Sequence, residues 1–240
     1  MKKHITLALA ASLALAAGAD AAINAISWNL DRWGTVSGTN EAGVVLVSNW
    51  NNSWPSNPTT NLIDNTGAAT TLDISYTSEG QWSIQNSTPG QDTNLSYNRN
   101  LINGYLNAGN AAATKLSTVN LAEIPYAKYD IYVYFSADVA DRAGSVTVGS
   151  SSYYFDTVGS ASISGSNALL VQTTETTDVA DNINANYARF TDLEGTSQTI
   201  TTNIPNFGGI AGFQVVQVPE PSAALLGGIG MLCLLRRRRA

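Results

Sequence analysis

The sequence predicts a mainly β protein, an antiparallel β-sandwich of jelly-roll-like form with one short helix, flanked by an N-terminal signal peptide and a C-terminal apolar helix. Three observations carry this. Apolar segments in the middle of the chain are short and alternate with polar residues at period two. Clusters of Gly, Asn, Asp and Pro separate them. Helical spacing occurs in one short stretch only.

The strands follow in order. Leu72, Ile74 and Tyr76 alternate with Thr71, Asp73 and Ser75, and Trp82 and Ile84 sit between Gln81, Ser83 and Gln85. Tyr129, Ile131, Val133 and Phe135 alternate with Lys128, Asp130, Tyr132 and Tyr134. Val146 and Val148 flank Thr147, and Phe213 and Val215 alternate with Gln214 and Val216. Successive strand side chains point to opposite faces, so each run reads as a strand with one face on a core. Asp64–Gly67, Pro89-Gly90 and Asn206–Gly209 are the expected turns. Tyr97, Leu101, Ile102, Tyr105 and Leu106 fall at helical spacing, with Gly109 placed to end the helix, so a helix is expected over Leu95–Ala108. Some ten strands without a dividing linker suggest one sandwich over residues 22–217.

Both ends read as processing segments. Residues 1–21 form a signal peptide: Lys2 and Lys3, the apolar run Ile5–Ala17, then Ala19-Asp20-Ala21 in the small-x-small pattern that signal peptidase cuts. Residues 218–240 hold Pro219-Glu220-Pro221, the apolar run 223–235 and the cluster Arg236-Arg237-Arg238-Arg239. As a helix at 1.5 Å per residue, that run reaches about 20 Å, short of a hydrocarbon core of about 30 Å. The arginines hold the cytoplasmic side, and the prolines stop the helix upstream. The pattern describes a transient membrane stop that presents Pro-Glu-Pro to a membrane enzyme.

This three-part end resembles the PEP-CTERM sorting signals of Gram-negative bacteria. The resemblance implies processing by exosortase, with Pro219, Glu220 and Pro221 as substrate residues of that enzyme. Segments of the core resemble an uncharacterised group of exported proteins of Verrucomicrobia and related bacteria. They are Glu41–Val45, Asn49–Asn52, Asn103–Leu106, Tyr126–Tyr134 and Asn186–Phe190. That likeness implies a fold and a location, not a reaction.

Composition narrows the chemistry. Of 12 basic and 18 acidic residues, six bases and two acids lie in the end segments, which leaves residues 22–217 near −10. Such a surface repels nucleic acid. The single histidine, His4, and the single cysteine, Cys233, also lie in the ends. The core therefore has no disulfide, no imidazole or thiolate metal site, and no Ser-His-Asp or Cys-His nucleophile.

Two constellations remain. Trp50 and Trp54, with Asn51 and Asn52 between them, offer indole faces for sugar stacking and amides for sugar hydroxyls, a candidate glycan contact. The alternative is that Trp50 plugs the core while the asparagines make turns. Asp138 with Asp141, and Asp178 with Asp181, are candidate calcium ligands or glycosidase carboxylates, although neither pair has EF-hand spacing. No cofactor or metal is expected. The expected function is an exported, exosortase-sorted, non-enzymatic surface or extracellular-matrix protein that binds polysaccharide. A secreted carboxylate glycoside hydrolase or lyase and a purely structural component are the alternatives.

Overall fold

Period-two burial appears where one sheet face meets solvent, as in Leu116–Ala122, whereas the two longest strands, Lys128–Ala137 and Gly208–Gln217, are buried on both faces. In the computed structural model, residues 23–53, 55–109, 116–205 and 207–219 are described. β1 (Ala25–Asn29), β7 (Lys128–Ala137), β12 (Tyr187–Glu194) and β14 (Gly208–Gln217) form the body of one sheet. The short strands β2 (Asn51–Asn52) and β10 (Gln172–Thr173) extend it to the order β10-β12-β7-β14-β1-β2. The second sheet contains β3 (Asp73–Thr77), β6 (Leu116–Ala122), β8 (Ala143–Val148), β9 (Ser151–Thr157), β11 (Asn184–Ala185) and β13 (Ser197–Asn203), in the order β11-β9-β8-β13-β6-β3. A two-stranded sheet pairs β4 (Gly80–Ser83) with β5 (Gly104–Asn107).

The long pairings are antiparallel, while the two-residue strands add in parallel at the edges. The sets β12-β7-β14-β1 and β9-β8-β13-β6 nest as in a jelly roll, with β13 and β14 returning along β6 and β7. The two inner faces meet in one core. Ile131, Val133, Phe135, Phe213 and Val215 come from the first sheet, and Val119, Leu121, Val146, Phe155 and Ile200 from the second. Phe135 stacks on Phe155 across the gap with centroids 3.8 Å apart, a contact worth about 1 kcal/mol beyond its buried area. The free edge of β3 is closed by Asn57, whose amide donates to Tyr76 O and accepts from Tyr76 N at 2.7 and 3.0 Å. This side chain imitates a strand neighbour and blocks edge pairing.

The outer face of the first sheet is covered. Tyr132 and Tyr134, which alternation places outward, join Val36, Ala42, Trp50, Leu101, Ile102 and Tyr105 in a second apolar cluster. The Tyr134 hydroxyl is fully buried. It donates to Gln214 Oε1 at 2.6 Å and accepts from Val44 N at 2.7 Å. Gln214 Nε2 in turn donates to Val45 O at 2.8 Å. The stretch Glu41–Val45 is therefore a lid over this polar network.

Three expectations are corrected. The helix expected over Leu95–Ala108 is a single turn, α1 (Asn98–Leu101), followed by strand β5. Tyr105 and Leu106 are neighbours and both fully buried, because β5 runs between the two clusters and sends one side chain to each. The face of β4 is also reversed: Trp82 is 46% exposed while Ser83 is 2% exposed. Finally, Gly208 and Gly209 open β14 rather than form a turn. A Cβ on Gly209 would fall 1.7 Å from Leu106 O, so glycine permits the close approach of β5. The signal peptide, Glu220, Pro221, the run 223–235 and Arg236–Arg239 lie outside the described residues. Among the described residues no helix is long and apolar enough to cross a membrane.

Candidate functional site

The tryptophan–asparagine run is occupied by the fold. Trp50 is 3% exposed and its indole N–H donates to Val47 O at 2.9 Å. Asn51 Nδ2 donates to Ser27 O and Ile63 O at 2.9 and 2.8 Å, and its Oδ1 accepts from Ile63 N at 2.9 Å. Asn52 Nδ2 donates to Val36 O and Trp50 O, while its Oδ1 accepts from Val36 N and Asn29 Nδ2. Both amides thus tie three backbone segments together, and Trp50 offers no face to a ligand. Trp54 lies outside the described residues.

The acidic loops come together at one end of β9. Asp138 pairs with Arg142 at 3.0 Å. Asp141 accepts from Asn184 Nδ2 at 2.8 Å, and Asp178 from Asn182 Nδ2 at 3.0 Å. Asp156, which sequence reasoning passed over, sits among them. Burial raises its pKa first, and the charges of Asp141, Asp181, Glu175 and Asp178 raise it further. Among the described residues no three carboxylate, histidine or cysteine side chains converge as a cation would require.

A different surface carries exposed aromatics. After β1 the chain turns at Arg32 and Trp33. Trp33 is 51% exposed and takes a φ of 60°, a left-handed conformation that is costly for a bulky residue. Trp82 lies on the same side of β4–β5 as Tyr105, its cross-strand partner. The Arg32 guanidinium sits 6.0 Å from the centroid of the Trp82 ring, within cation–π reach. One half-exposed indole therefore carries the cation, and the second, Trp33, follows that cation directly in the chain.

The segment Asn103-Gly104 builds this surface. Asn103 is fully buried. Its Nδ2 donates to Trp33 O at 2.8 Å and Gln85 O at 3.1 Å, and its Oδ1 accepts from Gln85 N at 3.0 Å. The loop that carries Trp33 and the segment that follows the Trp82 strand are thereby joined through one amide. Gly104 lets β5 press against the first loop, since a Cβ there would fall 2.4 Å from Leu30 O. Asn100 Nδ2 adds a bond to Thr35 O at 2.7 Å. Sequence reasoning missed the site because alternation assigned Trp82 to a core face. The signal available was the Trp33-Gly34 pair followed by a distant Asn-Gly.

The carboxyl end of the domain is paired to its last residue. Gln217 N donates to Asn24 O at 2.9 Å, and Val218 N to Lys128 O at 3.0 Å. Pro219 follows directly and is exposed. Residues 217–239 match the PEP-CTERM protein-sorting motif. The PEP-CTERM motif marks the chain as an exported protein that passes by way of the membrane and has exosortase as its processing partner. No curated protein and no solved structure matches the chain, so nothing supports the likeness of its core to the Verrucomicrobial group.

Proposed function

We propose that this is a non-enzymatic surface or extracellular-matrix protein whose sandwich binds neutral glycan through Trp33, Arg32 and Trp82. The observation that carries the reading is Trp33 itself. A bulky side chain held at positive φ and half exposed is maintained at a cost, and such strain concentrates at binding sites. Indole faces stack on the C–H faces of pyranose rings, and the Arg32 guanidinium supplies donors to ring and hydroxyl oxygens. The acidic remainder of the domain disfavours polyanions, which points to an uncharged polysaccharide. After sorting, the domain works at the cell surface or in the matrix.

The test is glycan binding by the exported, processed protein, with Trp33→Ala and Trp82→Ala beside it. Each substitution removes an exposed side chain, so melting temperature should hold while affinity falls about tenfold or more, equivalent to about 1.4 kcal/mol. Unchanged affinity in both variants would remove the site. The carboxylate-enzyme reading would replace this one if the protein released reducing ends from the same glycans and Asp156→Asn abolished the release.

A further inference from the structure

The side of the second sheet that faces away from the core is a field of hydroxyls. The strand register places Thr77 beside Thr118, Thr118 beside Thr201, Thr201 beside Thr147, and Thr147 beside Ser152. Directly opposed residues of antiparallel strands share a face, so five hydroxyl side chains form one rank across five strands. Neighbouring strands lie about 4.8 Å apart, which sets the interval along the rank. Ser75, Asn120 and Thr199 form a second rank, and Leu116, Asn203, Ser145 and Tyr154 a third, in which Leu116 is an exposed apolar end. Among the described residues the hydroxyls of Thr77, Thr118 and Thr201 have no hydrogen-bond partner, whereas Thr147 bonds Ser152 at 2.8 Å.

Charge lies at the borders and one end of this face: Asp73 sits on β3, and Asp156 on β9 has Asp141, Glu175, Asp178 and Asp181 near it. Two hollows mark its ends. One, of about 480 Å³, is lined by Thr147, Gly149, Ser197, Gln198, Thr199 and Thr201. The other, of about 230 Å³, is lined by Ala143, Ser145, Tyr154, Asp178, Asn203 and Pro205, so one carboxylate stands at that end. They lie at opposite ends of β8, whose six residues span about 20 Å.

We propose that this face is a second polysaccharide site, which takes an extended, uncharged chain laid along β8 and β13 from one hollow to the other. The inference rests on the glycan reading above. The centre of the face carries no ion for a charged partner, and in a domain near −10 it is the uncharged ground. Hydroxyls and amides, each able to donate and accept, match the hydroxyls of a sugar chain, and Tyr154 adds one aromatic surface. Tyr105, which shares a side of β4–β5 with Trp82, belongs to the outer cluster of the first sheet, whereas the hydroxyls stand on the second sheet, so the two sites are built on different sheets. One molecule would then bridge two polysaccharide chains and act as a matrix cross-linker.

The experiment is calorimetric titration of the exported, processed protein with neutral hexasaccharides (cellohexaose, xylohexaose and mannohexaose). It is paired with the turbidity of a long neutral polymer, hydroxyethylcellulose. Wild type should bind two hexasaccharides per chain. Thr147→Val with Thr201→Val keeps shape and strand preference while removing hydroxyls, and should bind one, as should Trp33→Ala with Trp82→Ala. Only wild type should cross-link the polymer. A valine variant that still binds two overturns the proposal. So does a wild type that binds one hexasaccharide, lost with the tryptophans, and that result leaves the first site standing. Absence of binding by any form overturns both sites together, and preference for alginate over neutral chains overturns the charge argument. Circular dichroism of each variant confirms that it is folded.

Discussion

Asn103→Ala tests how the aromatic surface is held. The amide is fully buried and makes three well-formed hydrogen bonds, to Trp33 O, Gln85 O and Gln85 N. Each is worth about 1 kcal/mol net, and the buried partners left behind add a desolvation cost wherever water does not reach them. A loss of about 2–3 kcal/mol follows, a substantial part of the 5–15 kcal/mol that a domain has. The effect on the site is separate. With Asn103 removed, the Trp33 carbonyl loses its tie to the segment at Gln85, and the two indoles lose their common anchor. Glycan affinity should therefore fall along with stability. Asn103→Asp is the control. It keeps the acceptor for Gln85 N but sets a carboxylate oxygen against two carbonyls, so it should be worse than alanine at neutral pH and recover on acidification. Urea unfolding followed by tryptophan fluorescence gives the stability, and titration calorimetry gives the affinity. A loss under about 0.5 kcal/mol for Asn103→Ala, with unchanged binding, would refute this account of the site.

Ile131, fully buried between the sheets, should cost about 2–5 kcal/mol when cut to alanine, measured by thermal and urea unfolding; a near-neutral result would mean the sheets do not pack as described. Asp156→Asn should raise the melting temperature at neutral pH. Its folded pKa is raised by burial and by its acidic neighbours, so the stability it contributes is full below the ordinary aspartate range and is lost as pH rises through the raised value. The gain should accordingly vanish when melts are repeated below the ordinary aspartate pKa of 3.8. Replacing Pro219-Glu220-Pro221 by alanines should leave an unprocessed, membrane-held form in cells that contain exosortase, and an unchanged mature mass would sink the sorting assignment.

Strands in contact with the intersheet core were legible. Leu72, Ile74 and Tyr76, Ile131 and Val133, and Val146 and Val148 all point inward as their alternation demands. Alternation failed where a strand is buried on both sides. Tyr105 and Leu106 mimic helical spacing because two different clusters receive them. It failed again at β4, which among the described residues pairs with β5 alone and leaves Trp82 toward solvent. The Trp50 segment left two readings open, a glycan contact or a core plug, for a related reason. Exposed amides and structural amides look the same in a sequence, and the partners of Asn51 and Asn52 at Ser27, Val36 and Ile63 lie far along the chain.

What the sequence determined by itself was whatever is read along a line. The sorting motif is such a feature, since an enzyme recognises consecutive residues emerging from a membrane, and the strand periods and the lack of histidine and cysteine in the core are others. Only the tertiary structure decided which tryptophans meet solvent, which carboxylates surround Asp156, and that Thr77, Thr118, Thr201, Thr147 and Ser152 stand in one rank. Those outcomes depend on strand register, and register is set by how distant segments share two cores, which spacing along the chain does not encode.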